Sequence, residues 1–190
     1  MGAKIEFEDT ELEGLKIVHP FVLCDERGYF MKTYEKEVFA EHGIFIENSE
    51  DLTTYSKKNV IRGMHFQTEF PQAKYITVSI GKIYDVVIDI RKNSSTFGMW
   101  RGIELSEENK LGLFIPKGFA HGFRALTDCV KFHYKCGGKY VPDKECGILW
   151  NDKELGIDWG KPDGAPIVSE RDKYLLTFKE FCDQYGGLPV

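Results

Sequence analysis

The chain has 190 residues, 42% of them hydrophobic, and a formal net charge of −5. That length suits one domain, residues 1–190, with its own core, and the composition excludes a disordered chain. The acidic balance disfavours nucleic-acid binding, which needs basic surface to neutralise phosphates. No apolar run approaches the roughly 20 residues needed to span a bilayer. Residues 1–13 are acidic and have no apolar core of the kind a secretory signal carries, so the cytoplasm is the expected compartment. The five cysteines, an odd number with no Cys-x-x-Cys pair, read as free thiols of a reducing compartment.

Along the chain, residues 12–34 hold two short strand candidates around the turn Asp25-Glu26-Arg27-Gly28. Residues 35–42 are polar with Val38 and Phe39 on one side and stop at Gly43, the pattern of a short helix. The heart of the chain is 59–150. There, residues 74–80, 83–90, 100–105, 111–115, 121–126 and 130–135 are short runs rich in Val, Ile, Phe and Tyr, separated by turn signals. Many short strands at near-regular spacing indicate a mainly β protein, a sandwich or barrel. In 83–90, Asp85 and Asp89 stand four apart on an otherwise apolar strand, so they share a face and suggest a polar lining. Residues 169–185 show helical spacing of Tyr174, Leu175, Phe178, Phe181 and Cys182, and Ser169 fits the N-cap.

Two histidines stand out, His65 in Arg62-Gly63-Met64-His65-Phe66-Gln67 and His121 after Pro116-Lys117-Gly118. Histidines lining a small β barrel raise the expectation of iron, manganese or zinc, which need about three or four converging ligands. Glu69 is the candidate carboxylate, but Gln67 stands where a His-x-His pair would put its second ligand. The expectation therefore moves from metal chemistry to proton chemistry. Strict alternation along 60–66 puts Ile61, Gly63 and His65 on one face, with Arg62 and Met64 on the other. Taken singly, His65 fits a satisfied core histidine, Tyr134 a core tyrosine with its hydroxyl at the rim, and Asp172 a capping acid at a helix start. Arg62, Gln67, Lys74 and His121 argue for more, because polar groups are costly to bury without a partner or ligand and together they form a small-ligand pocket.

Arg62-Gly63-Met64-His65-Phe66-Gln67, Pro71-Gln72-Ala73-Lys74, the run Phe114 to Phe123, Tyr134-Lys135-Cys136, Gly147 to Asp152, Leu155 to Trp159 and Val168 to Asp172 resemble the dTDP-4-dehydrorhamnose 3,5-epimerase family over about residues 12–178. The resemblance implies a cupin-type jelly-roll barrel with short flanking helices, one of them C-terminal. It also implies a homodimer and a nucleotide-sugar substrate, with neither metal nor redox cofactor. By the same resemblance His65 is the general base, Asp172 the acid that orients it, Tyr134 the proton donor on the opposite sugar face, and Lys74 the cation beside the C4 oxygen. Arg62 and His121 match residues around the sugar and diphosphate, and Gln67 stands with them. Arg27 and Phe30 resemble the nucleotide-binding loop, and Glu145 and Arg171 peripheral ligand contacts.

Three positions depart from the family pattern. Lys32 stands where the nucleotide loop usually has Glu, and Glu50 and Leu52 stand where Gln and Asn are usual. Lys for Glu reverses a charge, and Leu for Asn removes a donor and an acceptor. The expectation is either a rewired thymidine site or another carrier such as CDP or GDP. The neighbouring readings are a C3-only or C5-only epimerase, a ketoisomerase, a metal-dependent cupin and a non-catalytic cupin that binds sugar nucleotides.

Overall fold

The computed structural model describes residues 4–47, 50–161 and 163–190. With strands numbered along the chain, two antiparallel sheets face each other. One runs β1 (Glu6–Asp9), β2 (Lys16–His19), β10 (Gly112–Ile115), β7 (Ala73–Ile80), β12 (Cys129–Gly137), β5 (Glu50–Lys57). The other runs β13 (Glu145–Gly147), β6 (Val60–Gln67), β11 (Phe119–Ala125), β8 (Lys82–Asp89), β9 (Trp100–Ser106), with β14 (Ile167–Val168) added in parallel to β6. A separate hairpin pairs β3 (Phe21–Asp25) with β4 (Gly28–Lys32). The helices are α1 (Lys36–Glu41) and α2 (Phe178–Tyr185). This is the jelly-roll barrel that the resemblance implies. Among the described residues, no helix is long and apolar enough to cross a membrane.

The period of two along each strand builds the core. Ile76, Val78, Leu113, Val130 and Phe132 point inward from the first sheet and meet Ile83, Val87, Ile103, Phe119 and Phe123 from the second. Phe123 and Phe132 close the seam edge to face, with ring centroids 4.6 Å apart. The outer face of the second sheet is buried too. Ile61, Met64, Phe66, Val86 and Ile88 lie under Ile148, Trp159, Phe178, Phe181 and Leu188 of the C-terminal segment. Cover on both faces explains why β8 reads as an almost unbroken apolar run.

The short helix expected over 35–42 is α1, closed by Gly43 at φ +74, whose N–H reaches the Ala40 carbonyl. The C-terminal expectation needs correction. Ser169 does not cap an α-helix. Its hydroxyl accepts from the Asp172 N–H in a single 3-10 turn, Arg171–Tyr174, and α2 starts only at Phe178 behind a capping box of Thr177 and Glu180. The chain cannot stay helical between them because Leu176 pairs as a β-bridge with Ile148. Tyr174, expected on the apolar stripe, is 82% exposed.

Strict alternation also fails in β6. Arg62 pairs with Phe123, but His65 pairs with His121, so Gly63 and Met64 together oppose Gly122 alone. This β-bulge inverts the expected facing. Ile61 and Met64 share the outer core, and Arg62 and His65 both face the barrel interior. Gly63 is needed there. It sits at φ +105, and a Cβ would lie 2.6 Å from the His121 carbonyl oxygen and 2.8 Å from the Gly122 Cα.

Candidate active site

The bulge aims His65 into the barrel, where the 3-10 turn meets it. His65 Nε2 lies 2.9 Å from Asp172 Oδ1, and the Gly63 N–H donates to Asp172 Oδ2 at 3.1 Å. Burial works against ionising the Asp172 carboxyl. The hydrogen bonds from His65 and Gly63 outweigh it and hold the group below the usual carboxylate range. An ionised Asp172 accepts the Nε2 proton of His65 and leaves its Nδ1 with a free lone pair.

A second imidazole–carboxylate pair sits beside the first. His121 Nε2 is 2.9 Å from Asp85 Oδ2, with both side chains almost wholly buried. Here desolvation wins on both partners, lowering His121 and raising Asp85 from their ordinary values. The polar residues interrupt an apolar lining: Phe119 and Phe123 flank His121, Ile83 and Val87 flank Asp85, Ile76 follows Lys74 and Phe132 precedes Tyr134. Burial pushes Lys74 down towards its neutral amine and Tyr134 up, so the phenol keeps its proton. Tyr134 comes from β12 of the first sheet and His65 from β6 of the second, so the phenol and the imidazole belong to facing walls. Tyr134 stands edge-on to His121, with ring centroids 6.0 Å apart.

A narrow cleft beside these groups is lined by His65, Gln67, Lys74, Phe119, Tyr140 and Glu145, and Tyr134 lines a neighbouring hollow with Leu52 and His133. At its rim Glu145 accepts from Arg171 at 2.8 Å and from the Tyr140 hydroxyl at 2.7 Å. Arg62 reaches from β6 towards the Ser56 hydroxyl and the Tyr55 carbonyl of β5. Gln67 serves the scaffold, since its amide donates to the Phe70 and Lys139 carbonyls and its oxygen accepts from the Val141 N–H. All three bonds go to backbone, and they anchor the loop that carries Tyr140. Asp89, expected beside Asp85 in a polar lining, instead binds Arg91, Ser94 and Thr96 and braces its own turn. Glu69 is paired with Lys144.

Glu50 and Leu52 face inward on β5, opposite Cys136 and Tyr134, and Leu52 is 47% exposed. The nucleotide-loop residues are elsewhere. Arg27 binds Asp25 within the hairpin, Phe30 is 60% exposed, and Lys32 pairs with Glu35 at 2.9 Å. The hollow that holds Arg27 and Phe30 is lined by hairpin residues alone, away from the cleft. Sequence reasoning missed Asp85 as the partner of His121 and missed Tyr140 altogether. A lone carboxylate in an apolar strand was the signal for the first, whereas the second carried none.

A model of the dTDP-4-dehydrorhamnose 3,5-epimerase family matches residues 9–180. The chain belongs to this family. Among its relatives is the dTDP-4-dehydrorhamnose 3,5-epimerase of Methanothermobacter thermautotrophicus, 45% identical over 179 residues, which span 94% of this chain and 97% of the relative. The enzyme of the same name from Escherichia coli K12 is 44% identical over 174 residues, 90% of this chain and 93% of the relative. A solved structure of dTDP-6-deoxy-D-glucose-3,5-epimerase from Legionella pneumophila, in complex with dTDP-4-keto-L-rhamnose, is similar with a TM-score of 0.92 at 36% identity, covering 98% of each chain. Family membership turns the paired imidazole and phenol from a cluster of polar residues into a candidate epimerase centre.

Proposed function

We propose that this chain inverts C3 and C5 of a dTDP-linked 4-keto-6-deoxyhexose, converting dTDP-4-dehydro-6-deoxyglucose to dTDP-4-dehydrorhamnose. The observation that carries the reading is an imidazole from one sheet and a protonated phenol from the sheet facing it, both next to His121, the cross-strand neighbour of His65. A C–H beside a ketone is acidic because the charge left behind spreads onto the ketone oxygen. His65 Nδ1 takes that proton, and the imidazolium formed is stabilised by the ionised Asp172 on its other nitrogen. The Lys74 ammonium meets the enolate oxygen in a site of low polarity, where a fixed charge counts most. Tyr134 then delivers its proton from the opposite side, and the carbon is inverted. Both C3 and C5 flank the same ketone, so one set of groups serves each in turn.

In deuterated water the enzyme is expected to place deuterium at C3 and C5. His65→Asn removes the base and is expected to slow exchange by roughly 10²-fold or more. Tyr134→Phe leaves the base in place, so exchange persists while inversion falls away. NMR of the sugar reads both outcomes. A His65→Asn variant that exchanges at the native rate overturns the assignment of the base, and inversion at one carbon alone overturns the double epimerisation.

The functional unit in this reading is a homodimer. Leu23, Tyr29 and Phe30 are exposed on the hairpin, and Leu52 and Tyr55 along the open edge of β5. A second copy would cover them and lay the partner subunit's Arg27 and Phe30 over the cleft, which accounts for a nucleotide loop that sits away from its own site. Arg27→Ala and His65→Asn proteins, each inactive alone, are expected to regain activity when their subunits are exchanged. No recovery places Arg27 in its own chain's site. The cytosol completes the proposal and suits the five free thiols.

A further inference from the structure

The Lys74 side-chain nitrogen has no hydrogen-bond partner among the described residues, in a cleft where burial favours its neutral amine. An uncharged Lys74 could not hold an enolate. The titratable groups around it are Tyr134 and Cys136 on β12, Asp85 on β8, His121 on β11, His65 on β6 and Glu145 on β13. Most are already committed or uncharged. Glu145 is bound by Arg171 and Tyr140. Burial keeps the Cys136 thiol and the Tyr134 phenol protonated, and His65 spends its N–H on Asp172.

Asp85 is different. It is fully buried, one oxygen accepts from a histidine held neutral, and the other, Oδ1, has no hydrogen-bond partner at all among the described residues. A bare carboxylate oxygen in a dry core is costly unless a cation stands near it. Lys74 lines the cleft beside His65, whose cross-strand neighbour His121 holds Asp85, and across this cluster, without a direct ion pair, each of Lys74 and Asp85 favours the charged form of the other.

On the epimerase reading above, we propose that Asp85 is a positioning residue that keeps Lys74 charged and holds His121 in one tautomer, without touching substrate. The N–H that His121 donates to Asp85 leaves its Nδ1 as an acceptor. The carboxylate makes Lys74 a cation before the enolate forms, so the charge is in place when the C–H bond breaks.

The test follows the Lys74 side chain by NMR of ¹³C-labelled lysine, with the signal assigned by Lys74→Arg, alongside the pH profile of kcat/KM. Asp85→Asn keeps the shape and removes the charge. The Lys74 inflection is expected to fall by about one to three pH units, and the alkaline limb of kcat/KM to fall with it. Asp85→Glu is expected to restore part of both. In the unaltered protein, labelled Asp85 and Lys74 carbons are expected to share one alkaline inflection, a readout that does not require either variant to fold. An unmoved Lys74 inflection in Asp85→Asn, or separate inflections in the unaltered protein, overturns the proposal. Because the NMR titration needs no substrate, its failure is distinct from a failure of the epimerase reading, which shows as absent deuterium exchange.

Discussion

At the scale of single residues, the cleft separates groups that face a ligand from groups that hold those groups in place. Gln67 shows the difference. The resemblance puts it among the ligand contacts, yet its polar atoms are all taken by backbone. Gln67→Ala is therefore expected to destabilise the fold by about 2 kcal/mol, from lost bonds to groups that stay buried. It should also raise KM by loosening the Tyr140 loop. Urea melts beside steady-state kinetics check this, and a raised KM with an unchanged melt would return Gln67 to the ligand. Taken singly, His65, Tyr134 and Asp172 read in the sequence as core or capping residues, and only the family resemblance set them with Lys74 and His121 in one candidate site. Asp85 was legible as an anomaly but not as a partner, because nothing local says which histidine a carboxylate will find across a sheet.

At the scale of elements, β6 is where local pattern reading breaks down. An inserted residue leaves no trace when it is glycine beside methionine, since both fit either face. Only the register against β11 reveals it. Gly63→Ala is expected to cost more than about 2 kcal/mol, through strain at positive φ and the collision with β11. It should also abolish exchange at C3 and C5 by turning His65 out of the cleft, and a thermal melt with the deuterium assay reads both effects. The C-terminal segment fails for a related reason. Ser169 is a genuine capping signal, but a cap marks where a turn starts and not how long it lasts, and tertiary pairing of Leu176 decides the length. The strands β7 to β12 were legible nearly to their ends because alternation and turn residues agree there, whereas β5, with its polar, exposed side chains, was not read as a strand.

At the scale of the whole molecule, a buried carboxylate outside the cleft carries part of the stability. Asp89 is buried, and although burial raises it, hydrogen bonds from Arg91, Ser94 and Thr96 hold it below the usual range. A depressed carboxyl contributes stability above its unfolded value of about 3.9, and the contribution is lost as pH falls through the folded value. Acid unfolding is thus expected to involve the 89–96 turn. Asp89→Ala is expected to cost about 3 kcal/mol at neutral pH and less in acid, as denaturant titrations at several pH values will read.

The proposed base and the proposed acid ride on different sheets, and what separates the sheets is hydrocarbon. Residues such as Phe132 and Leu113 act as spacers that set the gap across which a proton must be handed. Trimming or thickening that filling would retune stereochemical outcome without altering any ionisable group. The selectivity of such a catalyst is thereby open to adjustment from its greasy interior, by selection or by an engineer seeking one inverted centre instead of two.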